Sequence, residues 1–180
     1  MKQLILTILL GTLLVGCQSP KARRPVSVRT GTFMEESIKR NKALYEKEKK
    51  MFETYMAQHP ENQYMASSNG FWYTYNSAKS TDSITPKFGD IVTFDYNIRR
   101  LNGDTIYSKK DLKTKEYAMD QEHLFSGLRE GLKLMKTGET VTFLFPSNKA
   151  FGYYGDKNKI GVNVPIVCEV TVNSITKTSN

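Results

Sequence analysis

Histidine and cysteine, frequent carriers of acid–base, nucleophilic and metal chemistry, are scarce in this chain of 180 residues. It has two histidines and two cysteines. His59 and His123 lie far apart and without metal-ligand spacing. No glycine-rich phosphate loop and no nucleophile elbow occurs. Hydrolase, metalloenzyme and nucleotide-binding readings therefore have no residues to rest on, and no cofactor is expected. Long apolar runs are equally scarce. One is evident, Leu4 to Val15, preceded by the positive Met1-Lys2. It is short for a bilayer span and has the form of a signal-peptide core.

That run ends in Leu14-Val15-Gly16-Cys17. The pattern resembles a bacterial lipobox, which implies removal of residues 1–16 and lipid on the Cys17 thiol. Several acyl chains would anchor the chain to a membrane without spanning it. Gln18, rather than Asp, follows the cysteine. By the same resemblance the outer membrane is expected, with the domain facing the periplasm. Residues 17–30 read as a flexible Ser-, Pro-, Lys- and Arg-rich tether. With Cys17 lipidated, Cys168 is alone and no intramolecular disulfide can form. It sits within Ile166-Val167-Cys168-Glu169-Val170, which suits a buried apolar role.

The formal net charge is +8. Its basic residues are interleaved with Asp and Glu. Lys47-Glu48-Lys49-Lys50 reads as a solvated helix face, so no nucleic-acid partner is expected. A tethered basic domain can also lean on anionic head groups.

Residues 31–66 read as a charged helical segment. Thr32 to Gln58 is the helix, with Thr32 and Glu35 as a capping box and Pro60 beyond its end. Met34, Ile38, Tyr45, Phe52 and Met56 share one face, interrupted by Asn41 and Glu48. Docking on its own domain, or weak dimerisation, is expected of this seam.

Residues 67–177 form the main domain. Phe71 to Tyr75 and Ile91 to Ile98 alternate as strands. Asn102-Gly103 marks a hairpin turn, and Thr105 to Ser108 follows as a strand. Lys109 to Lys115 reads as a charged loop, and Glu116 to Met119 as a short strand. A helix is predicted from Glu122 to Met135, with Leu124, Phe125, Leu128, Leu132 and Met135 inward. Gly127 and Gly131 leave room for it to approach a sheet. Thr140 to Phe145 and Val164 to Ile175 are the last strands. The fold class is α+β, with an antiparallel sheet and one short central helix. Pro146 to Asn163 is a long loop of little regular pattern, a length that usually carries function.

Several segments in this order carry a family resemblance: Pro86-Lys87-Phe88-Gly89-Asp90, Phe94-Asp95-Tyr96, Gly127-Leu128-Arg129-Glu130-Gly131-Leu132, Lys136-Thr137-Gly138-Glu139, Ala150-Phe151-Gly152 and Ile160 to Pro165. The set resembles FKBP-type peptidyl-prolyl cis-trans isomerases over roughly Pro86 to Ile175. It implies an FKBP-like antiparallel sheet wrapped around one short helix, preceded by the charged N-terminal helix. It also implies proline-containing polypeptides as substrates. Carried over position by position, Tyr96, Phe125, Leu128 and Phe151 would be the catalytic residues. Ile106, Tyr107, Leu124, Ile160 and Cys168 would contact substrate. Phe151 lacks the hydroxyl usual in the family, Ile106 and Cys168 replace aromatic residues, and Tyr107 replaces an aspartate at the rim. The scarcity of catalytic side chains fits this activity, because rotation about X–Pro needs no nucleophile.

A finer likeness is carried by the lipobox, Gly70-Phe71-Trp72-Tyr73, Asn102 to Ser108 and Phe151-Gly152-Tyr153-Tyr154-Gly155. These resemble the gliding-motility-associated FKBP-type lipoproteins of Bacteroidetes. That likeness implies help in folding surface or motility proteins. A binding module or chaperone without useful catalysis is the alternative.

Overall fold

The computed structural model describes residues 30–77 and 84–178. The apolar run, Cys17 and the tether lie outside the described residues. Among the described residues, those from Lys39 onward form one compact unit.

Eight strands make one sheet: β1 (Met65–Ala66), β2 (Trp72–Ser77), β3 (Ile91–Tyr96), β4 (Ile98–Arg99), β5 (Thr105–Tyr107), β6 (Lys115–Ala118), β7 (Thr140–Phe145) and β8 (Ile166–Thr176). Its path runs β1-β2-β7-β8-β3-β6, with β4 pairing β8 and β5, and all pairs are antiparallel. Strand β8 lies between β7 and β3. The run expected as one strand, Ile91 to Ile98, breaks at Asn97. There Asn97 N–H donates to Glu169 O at 3.1 Å, and Asn97 Oδ1 accepts from Glu169 N–H at 3.2 Å. The break re-aims the strand so that β4 can leave with β5.

Period-two alternation sorts the side chains of β7 and β8 onto two faces. Phe143, Phe145, Ile166, Cys168, Val170 and Val172 join the main core with Leu128 and Leu132. Leu144 and Val167 join a second, smaller core with Phe52 and Tyr55. The sheet is thus covered on both faces, by a short central helix on one and the N-terminal helix on the other.

The N-terminal helix, α1 (Thr30–Gln58), is 29 residues long and starts before Thr32. Thr32 is therefore inside it and not its cap. Its expected apolar face is also corrected. Met34, Ile38 and Tyr45 are exposed, whereas Phe52 and Tyr55 are buried and Met56 is half-buried. Phe52 meets the Trp72 ring at 5.3 Å. Glu48, expected to be solvated, is only 3% exposed. Its Oε2 accepts from the Ser147 N–H at 2.9 Å.

The predicted charged loop at 109–115 contains a helical turn, α2 (Lys109–Leu112), fixed by a capping box between Ser108 and Asp111. The central helix, α3 (Ser126–Leu132), is half the predicted length. Residue Phe125 is extended, at φ −64° and ψ 144°, so Leu124 and Phe125 precede the helix instead of forming its first turn. The 146–163 loop holds two 3-10 turns, Ser147–Lys149 and Gly152–Tyr154.

Candidate functional site

All the residues expected to line a pocket fall in one apolar cluster. Tyr96, Ile106, Leu128, Ile160 and Cys168 are buried in it, and Tyr107, Leu124, Phe125 and Phe151 pack against it partly exposed. Five of the nine are thus part of the buried main core and four lie at its edge. Leu128 and Cys168 are fully buried.

The approach of α3 to the sheet builds one wall. A Cβ at Gly127 would lie 2.6 Å from Phe145 Cδ1 and 2.7 Å from Lys149 O. Only glycine allows this contact. It brings the residue before the helix, Phe125, against the ends of β7 and of the following loop. The Phe125 ring sits 5.1 Å from Phe151 and 5.5 Å, edge-on, from Phe145, separations typical of favourable aromatic pairs. On the other side Tyr96 projects from β3, its ring 5.4 Å from Phe94. A cavity of about 230 Å³ opens beside Tyr96 and Leu124, with Phe94 and Tyr117 among its other walls. Phe125, Leu128 and Phe151 do not line that cavity. Tyr117 is a wall residue that sequence reasoning missed, although alternation along β6 turns it inward.

Lys115, Glu116, Glu122 and His123 also line the cavity beside Tyr96, whereas the cluster behind it is apolar. Burial, with Cys168 as a lesser cause, pushes the Tyr96 hydroxyl up to about 12. Burial pushes the Cys168 thiol well above its ordinary range. Neither group supplies a base or a thiolate near neutral pH. Among the described residues no cluster of His, Cys, Asp or Glu is placed to hold a metal ion.

Tyr107 was expected to remove a carboxylate from the rim. The loop supplies one instead. The Tyr107 hydroxyl donates to Asp156 Oδ2 at 2.5 Å, while Asp156 Oδ1 accepts from the N–H groups of Asn158 and Ile160 at 2.9 and 2.7 Å. The hydrogen bond to Asp156, then burial, raises the Tyr107 pKa. Burial pushes Asp156 upward, but its bonds to Tyr107, Ile160 and Asn158 outweigh this and hold it below the usual carboxylate range. Lys159 Nζ lies 4.9 Å from the Tyr107 ring centroid, within cation–π range. Asp156 thus ties β5 to the loop that ends in Ile160. It was missed because the tyrosine and aspartate are 49 residues apart.

The antiparallel sheet, the short helix α3 and the apolar cluster between them define the class of fold as α+β. The profile of the FKBP-type peptidyl-prolyl cis-trans isomerases matches residues 82–173. The chain belongs to that family. A probable FKBP-type peptidyl-prolyl cis-trans isomerase FkpA of Neisseria meningitidis serogroup B is 31% identical over 101 residues, which is 56% of this chain and 37% of that protein. The chain thus spans little more than a third of that relative's length. The crystal structure of FkpA from Escherichia coli superposes with a TM-score of 0.60 at 23% identity, covering 99% of this chain and 83% of that one. A peptidyl-prolyl cis-trans isomerase from Pseudomonas syringae pv. tomato superposes with a TM-score of 0.59 at 20% identity, covering 76% and 96%. At these identities the two superpositions speak for the fold.

Proposed function

We propose that the domain catalyses cis-trans isomerisation of X–Pro bonds in polypeptides, with the proline ring held in the cup around Leu128. The observation that carries this reading is the gathering of Tyr96, Phe125, Leu128 and Phe151 into one neutral apolar cluster. The barrier to rotation is amide resonance, about 18–20 kcal/mol. Resonance draws on a charge-separated form that water stabilises. A cup that desolvates the amide and fits its twisted geometry lowers the barrier without proton transfer. Tyr96 and Phe151 form the walls, Leu128 the floor, and Phe125 grips the ring, with its backbone N–H free for a substrate carbonyl. Ile106, Tyr107, Leu124, Ile160 and Cys168 shape the rim and the remaining lining. The substrates are exported or surface polypeptides, and lipid on Cys17 holds the domain at the outer membrane, facing the periplasm. A role for gliding-motility proteins belongs to the same reading. It rests on the sequence likeness alone.

A second reading is a chaperone or binding module without useful turnover. It is favoured by Phe151, which has no hydroxyl to offer a substrate, and by the close Phe125–Phe151 pair, which narrows the cup. The test is isomerisation of a Leu-Pro or Phe-Pro peptide by the full chain, alongside Tyr96→Ala and Phe151→Ala. A rate above background is expected, reduced in each folded variant by about tenfold, the loss of about 1.4 kcal/mol of transition-state contact. No rate at micromolar protein rejects the enzyme reading, and undiminished rates in both variants reject this site.

A further inference from the structure

On the other side of the Phe151 loop lies a second cavity, of about 260 Å³, between α1 and the 3-10 turns after β7. That volume is below the roughly 300–1,000 Å³ typical of pockets for whole small molecules. It suits one side chain. Glu48 and Ser147, joined by the 2.9 Å bond from Ser147 N–H to Glu48 Oε2, both line it. The second carboxylate oxygen, Oε1, is buried with no hydrogen-bond partner and closed to solvent, so a turn of the Glu48 side chain is needed to present it to the cavity. Burying a carboxylate with half its acceptor capacity unused is costly. No lysine or arginine lines the cavity. One turn away on the same helix are Leu44, Tyr45, Met51 and Phe52, none of them charged, while Lys47 and Lys49 are at positions that face elsewhere.

The remaining walls suit a cation. Tyr45 and Tyr153 present aromatic rings, and Asn41, Asn148 and Asn163 bring amide groups whose oxygens can accept hydrogen bonds. A buried carboxylate, two tyrosines and amide acceptors make a cage that a neutral side chain would leave unsatisfied. We propose that this cavity binds the basic side chain of an extended polypeptide, with the guanidinium of arginine as the preferred head group because it can stack on a ring while donating to the carboxylate. Gly152 lines the cavity and directly follows Phe151. A client with a basic residue near its proline therefore engages both faces of one loop. This site is separate from the prolyl cup and stands whether or not the cup turns over.

The test is a titration of the isotope-labelled full chain in detergent with acetyl-Gly-Arg-Gly-amide, followed at the amide resonances of Ser147, Gly152 and Tyr153. Saturable shifts are expected, with at least about tenfold weaker binding of the citrulline peptide, which keeps the shape and loses the charge. Glu48→Gln retains an oxygen for the Ser147 N–H and removes the charge. It is expected to melt close to the parent and to lose about tenfold in affinity. Tyr153→Ala changes an exposed residue, so folding is not at stake, and it too should weaken binding. Equal shifts with both peptides, no saturable shift at millimolar peptide, or parent-like affinity in Tyr153→Ala together with any folded Glu48→Gln would overturn the assignment.

Discussion

Replacing Gly127 by alanine tests the packing that places Phe125 in the cup. The added methyl would sit 2.6 and 2.9 Å from Cδ1 and Cε1 of Phe145 and 2.7 Å from Lys149 O. Comfortable carbon contacts are about 3.5–4.0 Å, so close to an ångström must be recovered. The Phe145 ring has little freedom to move. It stacks on Phe143 at 5.2 Å, and Phe71 and Phe125 meet it edge-on at 5.2 and 5.5 Å. Lys149 O is backbone, and the Ser126 hydroxyl donates to it at 3.4 Å. Overpacking of this kind costs about 3 kcal/mol, against a helix-propensity gain of about 1 kcal/mol. The net loss is roughly 2 kcal/mol, or a melting-temperature drop of roughly 5–10 °C for a domain of this size. Gly131 is the internal control. The three atoms nearest a methyl there all belong to the Phe143 side chain, at 2.9–3.3 Å. Gly131→Ala should therefore cost less than Gly127→Ala, by about 1 kcal/mol. Thermal unfolding followed by circular dichroism measures both. A Gly127→Ala protein as stable as the parent, or one more stable than Gly131→Ala, would refute the claim that helix–loop contact sets the position of Phe125.

Three further outcomes can be checked. Tyr107→Phe removes the donor to Asp156 and should cost about 1–2 kcal/mol, with faster hydrogen exchange at the Asn158 and Ile160 amides; unchanged protection there would show that Tyr107 does not hold the loop. Asp90 is buried and accepts from Lys177 Nζ and the Lys87 N–H, each at 2.7 Å. The Lys177 bond is the main cause holding its pKa below the ordinary 3.8, against the opposing effect of burial. Its stabilisation is thus present above the unfolded value and lost as pH falls through the folded one, so Asp90→Asn should reduce stability at neutral pH and flatten its acid limb below about pH 4. A parallel pH profile would contradict this. Phe52→Ala should cost about 3–5 kcal/mol and shift the emission of Trp72, the chain's single tryptophan, to the red; unshifted emission would mean that α1 is not held by Phe52.

Much of the sheet was legible because burial on one face writes a period of two into Ile91–Tyr96, and burial on both faces makes Thr140–Phe145 apolar through most of its length. The Asn102-Gly103 turn was legible for a local reason as well, since the chemistry of such a turn lies within neighbouring residues. The central helix was overread. Leu124 and Phe125 continue its apolar spacing, but they are half-buried in an extended segment before the helix and not by helical geometry. The turn at Lys109–Leu112 was hidden by its charges, although Ser108 and Asp111 carry a complete local cap. Glu48 shows the limit most clearly. Nothing near it in sequence marks it as buried, because its partner, Ser147, is 99 residues away. The candidate site residues were named through family order, whereas Asp156 and Tyr117 required the tertiary contacts themselves.

Strand β8 has a consequence for how such a chain is made. It is the latest strand in sequence and yet hydrogen-bonds to β3, β4 and β7. Its pairing reaches back as far as Ile91 from Thr176. While a ribosome still holds residues 166–176, both halves of the sheet exist without the strand that joins them, and neither main-core face can close. Contacts this distant also make closure slow once it becomes possible. A chain with this order cannot close its sheet until β8 has been delivered.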